Sequence, residues 1–287
     1  MGLRELITGS AAVTAPLVLN PLMARLAEAA GFRAGYLGGG STGYEKAVLE
    51  ANLNLTEMCQ VALDIRAVSG LPLILDAACG FGDPMHMHRT IGMVEAAGFA
   101  AIEIEDQILP KRAHHHIGIE HMIPQALMEA KLTEAARARR STELLIIGRT
   151  NAVRNTGMDD ALRRCEAYRR AGADVLLPMP RTPEQMRQLG EQLGPPLMYL
   201  AGRGGVATAG VTLAEMEGWG YRVVADSSTP LLAGFLAWKQ VYAELAQGFS
   251  AGTSSQWHAA EQEMMEAVGL EQMLDIERAT VERPGEG

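Results

Sequence analysis

Aromatic residues are scarce, at 5% of the 287 residues, and only 21% are charged, with a formal net charge of −9. An acidic chain without a basic stripe argues against a nucleic-acid partner, which needs Lys and Arg gathered on one face. Cysteine is nearly absent as well: Cys59, Cys79 and Cys165 cannot build a disulfide framework, and none lies in a CxxC or zinc-type spacing. A reducing, cytoplasmic location is the expectation. No stretch approaches the roughly 18 consecutive apolar residues of a membrane span. Met1–Ala15 carries Arg4 and Glu5 but no apolar h-region, so neither a membrane partner nor a secretory signal is expected. What is abundant is apolar: 48% of the residues, in a chain long enough to bury roughly 75% of its unfolded surface without staples. Small-molecule enzymes are the largest class that fits.

One pattern recurs. A helix-like segment ends at Gly and a short apolar run follows: Glu28-Ala-Ala-Gly-Phe32 into Tyr36-Leu37, Glu95-Ala-Ala-Gly-Phe99 into Ala101–Ile104, Arg170-Ala-Gly-Ala173 into Val175–Leu177, Trp219-Gly-Tyr221 into Val223–Ala225. Gly after a last helical turn supplies the left-handed conformation that Cβ-bearing residues resist. Short strands without polar alternation are those buried on both faces. With Pro16–Leu19, Leu71–Leu75, Leu144–Ile147 and Pro196–Leu200 the runs number eight, separated by helical patterns near 21–30, 56–68, 85–97, 121–139, 158–171, 182–193, 211–218 and 229–247. Eight βα units over about 250 residues predict a (β/α)8 TIM barrel. A doubly wound sheet is the alternative, but no G-x-G-x-x-G follows any run. The expectation is one barrel domain over 1–287, with 250–287 as a C-terminal helical tail. Trp257–Glu282 reads as two helices whose Met264, Met265, Val268, Leu270, Met273, Leu274 and Ile276 pack either under their own barrel or on a neighbouring subunit. Pro284–Gly287 reads as frayed.

Barrel enzymes keep their chemistry at the C-terminal ends of the strands. Those ends offer Gly38-Gly39-Gly40-Ser41, Asp76, Glu105-Asp106, Arg149-Thr150-Asn151 and Asp226-Ser227-Ser228. Asp76 and Glu105 are oxygen ligands of the kind Mg²⁺ prefers, which takes one or two carboxylates plus waters and substrate; either could instead cap a helix or pair with a base. Gly38, Gly39 and Gly40 bring backbone N–H groups close to an oxyanion, or merely form a tight turn. Arg149 ends an apolar strand and needs an anion, either a buried acid or a substrate carboxylate in a bidentate contact. His114, His115 and His116 cannot all point one way, so they are no three-ligand site. One of them could move a proton near neutral pH, or all three could be solvated. His86 and His88 fit helix capping or surface.

In chain order, Asp76-Ala-Ala-Cys-Gly-Phe-Gly82, Ile104-Glu-Asp-Gln-Ile-Leu-Pro-Lys-Arg112 and Ile147-Gly-Arg-Thr-Asn-Ala152 resemble the isocitrate lyase/phosphoenolpyruvate mutase superfamily. The likeness runs from about Pro16 to Gly269-Leu-Glu-Gln-Met-Leu-Asp275. It implies a barrel whose eighth helix swaps between subunits, in a homotetramer built as a dimer of dimers. It further implies Mg²⁺, with Mn²⁺ or another divalent metal as alternatives, and a small carboxylate substrate processed through an enolate. By position, Tyr36, Gly38, Gly39 and Gly40 match the segment that holds the oxo-acid end. Asp76 matches the principal metal carboxylate, Glu105 a carboxylate on metal-bound water, and Arg149 the substrate-binding arginine.

The departures bear on the reaction. The family's D-x-D reads Asp76-Ala77-Ala78, and its Pro-Asp after the second strand aligns with Glu50-Ala51. The lyase loop K-[KR]-C-G-H reads Lys111-Arg-Ala-His-His115, so the proton-donating cysteine is Ala113. Loss of a general acid costs about 10²–10⁴ in rate, unless His115, or failing it His114 or His116, takes over. A substrate-binding Glu falls at Met179 and an Asn at Leu200, which implies a less polar far end to the substrate. The expected activity is carbon–carbon cleavage of the lyase or decarboxylase type. The alternatives are a catalytically decayed oxo-acid-binding protein on the same scaffold and a phosphonopyruvate-type P–C enzyme.

Overall fold

A computed structural model describes residues 1–248 and 252–282. Eight strands follow one another: β1 (Val13–Pro16), β2 (Gly35–Leu37), β3 (Leu73–Asp76), β4 (Ala101–Glu105), β5 (Leu145–Arg149), β6 (Val175–Leu177), β7 (Leu197–Ala201) and β8 (Tyr221–Asp226). All pair in parallel in the order β1-β8-β7-β6-β5-β4-β3-β2. The ring closes between β1 and β2 through one bridge, Leu17 to Tyr36, with the Val18 N–H donating to the Tyr36 carbonyl at 3.0 Å. This is the expected (β/α)8 barrel.

The strands lack polar alternation because both of their faces are buried, yet the period of two is present. Ile74, Ala101, Leu145, Ile147, Val175, Leu177, Met198, Val223 and Ala225 form the cluster that fills the barrel. Their neighbours Leu73, Leu75, Ile102, Ile104, Ile146, Leu176, Leu197 and Val224 pack outward with the helices. A polar residue at an inward position near a strand's C-terminal end therefore enters the barrel mouth. Helices start where the sequence caps them: Asn20 before Pro21–Ala29, Asn54 with Glu57 before Leu55–Arg66, Thr182 before Pro183–Leu193.

Two local readings are corrected. The first strand lies at Val13–Pro16 rather than Pro16–Leu19: Val13–Pro16 makes the ladder with β8, while the more apolar Leu17–Leu19 pack outward beyond it. The glycine segment is no simple turn, because Gly39–Glu45 is a two-turn helix behind Gly38. Among the described residues, no helix is long and apolar enough to cross a membrane.

The chain divides into two compact units, Met1–Leu231 and Leu232 onward. The barrel and every strand end belong to the first. In the second, Ser254–Val268 and Leu270–Thr280 are helices meeting at Gly269, whose φ of 79° suits glycine. Neither helix buries a residue, and Met264, Val268, Met273 and Ile276 are exposed. The Pro284–Gly287 stretch lies outside the described residues.

Candidate active site at the barrel mouth

Register places the acids together. Across β3, β4 and β5, Asp76 pairs with Glu103 and Glu105 with Arg149. Glu103 and Glu105, two apart on one strand, face the same way. The intervening alternation sends Asp106 outward, where it accepts from Thr150, Tyr168 and Arg164 and holds the wall of the barrel. Asp226 likewise caps a helix, accepting from the N–H groups of Ser228 and Thr229.

Arg149 is buried between two carboxylates, with Nη1 2.8 Å from Glu103 Oε1 and Nε 3.2 Å from Glu105 Oε2. Its Nη2 lies 3.4 Å from Asn151 Oδ1. The anion it needs is therefore supplied from within. Glu105 Oε2 also accepts from Gln107 and Asn151, each at 2.9 Å. Tyr36, fully buried, donates its hydroxyl to Glu103 Oε2 at 2.9 Å. It thus supports Glu103 rather than facing open space.

The loop after β4 adds a second cation. Lys111 Nζ lies 2.6 Å from Glu50 Oε1 and 2.7 Å from Glu105 Oε1, all three side chains buried. Glu50 comes from the short helical turn Glu50–Asn52. The acid missing at Ala51 is thus restored one residue earlier by a side chain that turns inward. Four carboxylates (Glu50, Asp76, Glu103, Glu105) share two cations, and the imbalance shows in their protonation. Burial and the charge of Asp76 push Glu50 and Glu103 up to about 7, against the pull of Lys111 and Arg149 respectively. Burial also opposes the charge on Glu105, but Arg149 and Lys111 hold it well below the usual carboxylate range. Burial works against the Lys111 ammonium, yet Glu105 and Glu50 keep it firmly charged.

A divalent cation fits this donor set. Among the described residues, no three His, Cys, Asp or Glu side chains form a ready-made metal cage; Mg²⁺ does not require one. Glu105 Oε1 is buried and faces only the Lys111 ammonium at 2.7 Å. Each Asp76 oxygen accepts one backbone N–H, from Gly39 at 3.2 Å and Ala78 at 2.9 Å, leaving lone pairs free. Hard oxygens in excess negative charge are what such an ion seeks.

The histidines separate, as consecutive residues must. His115 reaches the cluster, with Nδ1 3.1 Å from Gln107 Nε2 and Nε2 3.8 Å from Glu50 Oε2. His114 does not: it is exposed and pairs with His121 at 3.0 Å. His116 faces the Tyr44 hydroxyl at 3.3 Å. The expected near-neutral titration is corrected too, because burial and the nearby Lys111 push His115 down to about 4. Its imidazole is neutral at pH 7, with Nδ1 accepting from the Gln107 amide.

Of the three glycines, Gly39 directs its amide at Asp76, and a Cβ there would lie 2.8 Å from Glu50 Oε1. A Cβ on Gly38 would meet the Tyr36 ring at 3.1 Å, whereas one on Gly40 would touch nothing closer than 3.9 Å. Glu103, Glu50 and Lys111 escaped the sequence reading as site residues. Glu103 carried a signal in its two-residue offset from Glu105, and Lys111 in its place at the head of the lyase-type loop.

The opposite side of the mouth is different. Met179 and Leu200 pack on the apolar barrel cluster that includes Leu177 and Met198. They line a cavity of about 240 Å³ with Pro180, Tyr199 and Asn151, and with the charged Glu120, Arg154 and Arg181. Asn151 is shared with the charged cluster through Glu105 and Arg149.

Residues 3–246 match the family model described as phosphoenolpyruvate phosphomutase. The chain belongs to that family. It is 35% identical over 247 residues to 2-methylisocitrate lyase of Aeropyrum pernix, covering 85% of this chain and 79% of the relative. It is 29% identical over 282 residues to 2,3-dimethylmalate lyase of Eubacterium barkeri, covering 96% of each. A solved phosphonopyruvate hydrolase in complex with oxalate and Mg²⁺ superposes with a TM-score of 0.84 at 27% identity, over 97% of this chain and 98% of the other. Membership makes the chain similar throughout to carbon–carbon lyases of this superfamily.

Proposed function

We propose that the chain is a divalent-metal-dependent lyase or decarboxylase that cleaves a carbon–carbon bond of a 2-oxo or 2-hydroxy (di)carboxylic acid through an enolate. The observation that carries this reading is the buried excess of carboxylates, Glu50, Asp76, Glu103 and Glu105, over Lys111 and Arg149 at the barrel mouth. Lyase relatives and a neighbour holding oxalate with Mg²⁺ support it. Asp76 and Glu105 would hold Mg²⁺, or Mn²⁺ in its place, which when bound polarises the α-oxygen of the acid as a Lewis acid. Arg149 orients the substrate carboxylate with the N–H groups left over from Glu103, Glu105 and Asn151. Neutral His115 removes the hydroxyl proton of a 2-hydroxy acid and returns it to the carbon that departs, a role that falls to it because Ala113 carries no thiol. Met179 and Leu200 keep water from the far side of the site.

The test is a proton-NMR turnover screen with Mg²⁺, Mn²⁺ or a chelator, over 2-methylisocitrate, dimethylmalate, oxaloacetate, phosphonopyruvate and longer alkyl malates. Metal-dependent loss of one acid, reduced at least about 10³-fold by Asp76→Ala, is the expected outcome. Full turnover in Asp76→Ala overturns the reading. One observation favours a decayed, oxo-acid-binding protein instead: Arg149 is already neutralised by Glu103 and Glu105. Tight oxalate binding, indifferent to metal and without turnover of any acid, would select it. The proposal includes a cytoplasmic homo-oligomer, a tetramer of two dimers. It is supported by three buried free thiols and by the exposed Phe235, Leu236, Trp238 and Tyr242 on the helix Thr229–Ala246. Sedimentation of the intact chain tests the assembly.

A further inference from the structure

Asp76 ends β3, and the four residues after it make a tight turn that is held at every carbonyl. The Ala77 carbonyl accepts from the Gly80 N–H and the Ala78 carbonyl from the Glu105 N–H, each at 2.8 Å. The Gly80 carbonyl accepts the buried Thr90 hydroxyl at 2.9 Å. The Cys79 carbonyl accepts Nζ of Lys131, which comes from the helix Gln125–Ala138. The backbone so held is strained. Ala78 has a φ of 46° and Phe81 one of 58°, left-handed conformations that residues with a Cβ resist. Such backbone persists where its surroundings over-determine it.

Lys131 is the unusual member of this set. It is only 2% exposed, and burial pulls its pKa below the ordinary lysine value. Among the described residues it pairs with no carboxylate; its Nζ meets a carbonyl of the turn instead. A buried cation without a counter-ion is costly, and an apolar chain of similar volume would avoid the cost. What Lys131 holds is the backbone that aims two acids. Ala78 donates its N–H to Asp76 Oδ1 at 2.9 Å and takes the Glu105 N–H on its carbonyl. Cys79 follows directly, so anchoring its carbonyl fixes the turn on the far side of Ala78.

We propose that Lys131, with Thr90, is a positioning residue for the divalent cation: by pinning the turn at 77–80 it keeps Asp76 and Glu105 at one spacing. This proposal rests on the metal-dependent reading above and adds to it two residues that touch neither metal nor substrate.

The experiment is calorimetric titration of the full chain with Mg²⁺, and in parallel with Mn²⁺, beside thermal unfolding in chelator. Lys131→Met keeps the length of the side chain and removes its donor. The midpoint in chelator should equal or exceed that of the unaltered chain, because a buried cation gives way to an apolar group. Metal affinity should nevertheless fall about 10- to 100-fold, the usual loss when the group behind a metal ligand is removed. A lysine that serves the fold alone would give the reverse, a lower midpoint at unchanged metal affinity, and that result overturns the proposal. Thr90→Val is the second variant, should Lys131→Met fail to fold. It keeps the size of the side chain, and metal affinity should fall about threefold to tenfold, the worth of one hydrogen bond; unchanged affinity overturns the proposal here too. Either result leaves the metal-dependent reading intact. A folded, unaltered chain that binds neither metal overturns both.

Discussion

The two sides of the barrel mouth use the same strand geometry to opposite ends. On the β3–β5 side, inward positions hold ionisable groups at zero or near-zero exposure, each satisfied by another: Tyr36 on Glu103, Glu103 on Arg149, Arg149 on Glu105, Glu105 on Lys111, Lys111 on Glu50. On the β6–β7 side the same positions hold Leu177, Met179, Met198 and Leu200, which need no partners. The contrast separates two kinds of dependence. Apolar packing tolerates the loss of one member at a graded cost, whereas a closed charge network leaves a buried ion stranded when one member goes.

The largest effect should come from the residue that joins the loop to the charged side. His115→Ala removes the imidazole that meets Gln107 and Glu50, and turnover should fall by about 10²–10⁴. His114→Ala, in the same loop but exposed and paired with His121, should change it by less than about twofold. Equal losses in both variants would mean that the loop acts through its fold alone, and the assignment of His115 would fail. Steady-state rates with the acid found in the turnover screen decide between them.

Arg149→Met tests the network as a network. Glu103 and Glu105 would lose their shared cation, and the folded state should be weakened by about 3–5 kcal/mol, the usual cost of stranding a buried charge. Leu200→Ala, on the apolar side and half-buried, should cost less than that. The midpoint of urea unfolding at constant slope measures both. A smaller loss in Arg149→Met than in Leu200→Ala would erase the distinction between the two sides.

Most of the barrel was legible because its signals are local. Gly-terminated helices followed by apolar runs located the strands to within a few residues, and strand ends named Asp76, Glu105 and Arg149 before any geometry. Β1 slipped because Leu17–Leu19 are more apolar than Val13–Pro16, and hydropathy cannot tell a ladder from the chain just beyond it. The Gly39–Glu45 helix was hidden because glycine is a poor helix former and was read as a turn. Glu50 and Lys111 were missed for a different reason. Their meeting depends on two loops 61 residues apart in sequence, and no spacing along the chain encodes it. His115 could be singled out from His114 only by direction, which three consecutive histidines do not reveal.

The excess of acid on the charged side also predicts how pH and metal act together. Glu50 and Glu103 bind their protons more tightly in the folded chain than when unfolded, up to about 7 from an ordinary 4.5. The stability this confers is complete below the unfolded value and is lost as pH rises through about 7. In chelator, the thermal midpoint should therefore fall by roughly 5 °C between pH 5 and 7.5. Mg²⁺ should restore more of it at pH 7.5, where the carboxylates are ionised, than at pH 5. Glu103→Gln, which removes one of the two groups, should shrink the decline. A midpoint flat across this range in chelator would show that the four acids are not in excess of their cations.

The smallest effect is a matched pair on the glycine segment. A methyl at residue 39 would lie 2.8 Å from Glu50 Oε1 and 3.0 Å from its Cδ. A free Glu side chain would swing aside, but this one is held by Lys111, so Gly39→Ala must either bend the backbone or break the Glu50–Lys111 pair. Overpacking of this kind costs about 1–3 kcal/mol. At residue 40 the nearest atom is Glu50 Oε2 at 3.9 Å, an ordinary contact, and the position is helical, where Ala is favoured over Gly by up to about 1 kcal/mol. Gly40→Ala should therefore be neutral to slightly stabilising. If Gly39→Ala is equally benign, Glu50 is free to move and Lys111 does not hold it. If Gly39→Ala destabilises and Glu50→Gln in the same background relieves the loss, the charged side extends through Glu50 to the backbone of the glycine segment.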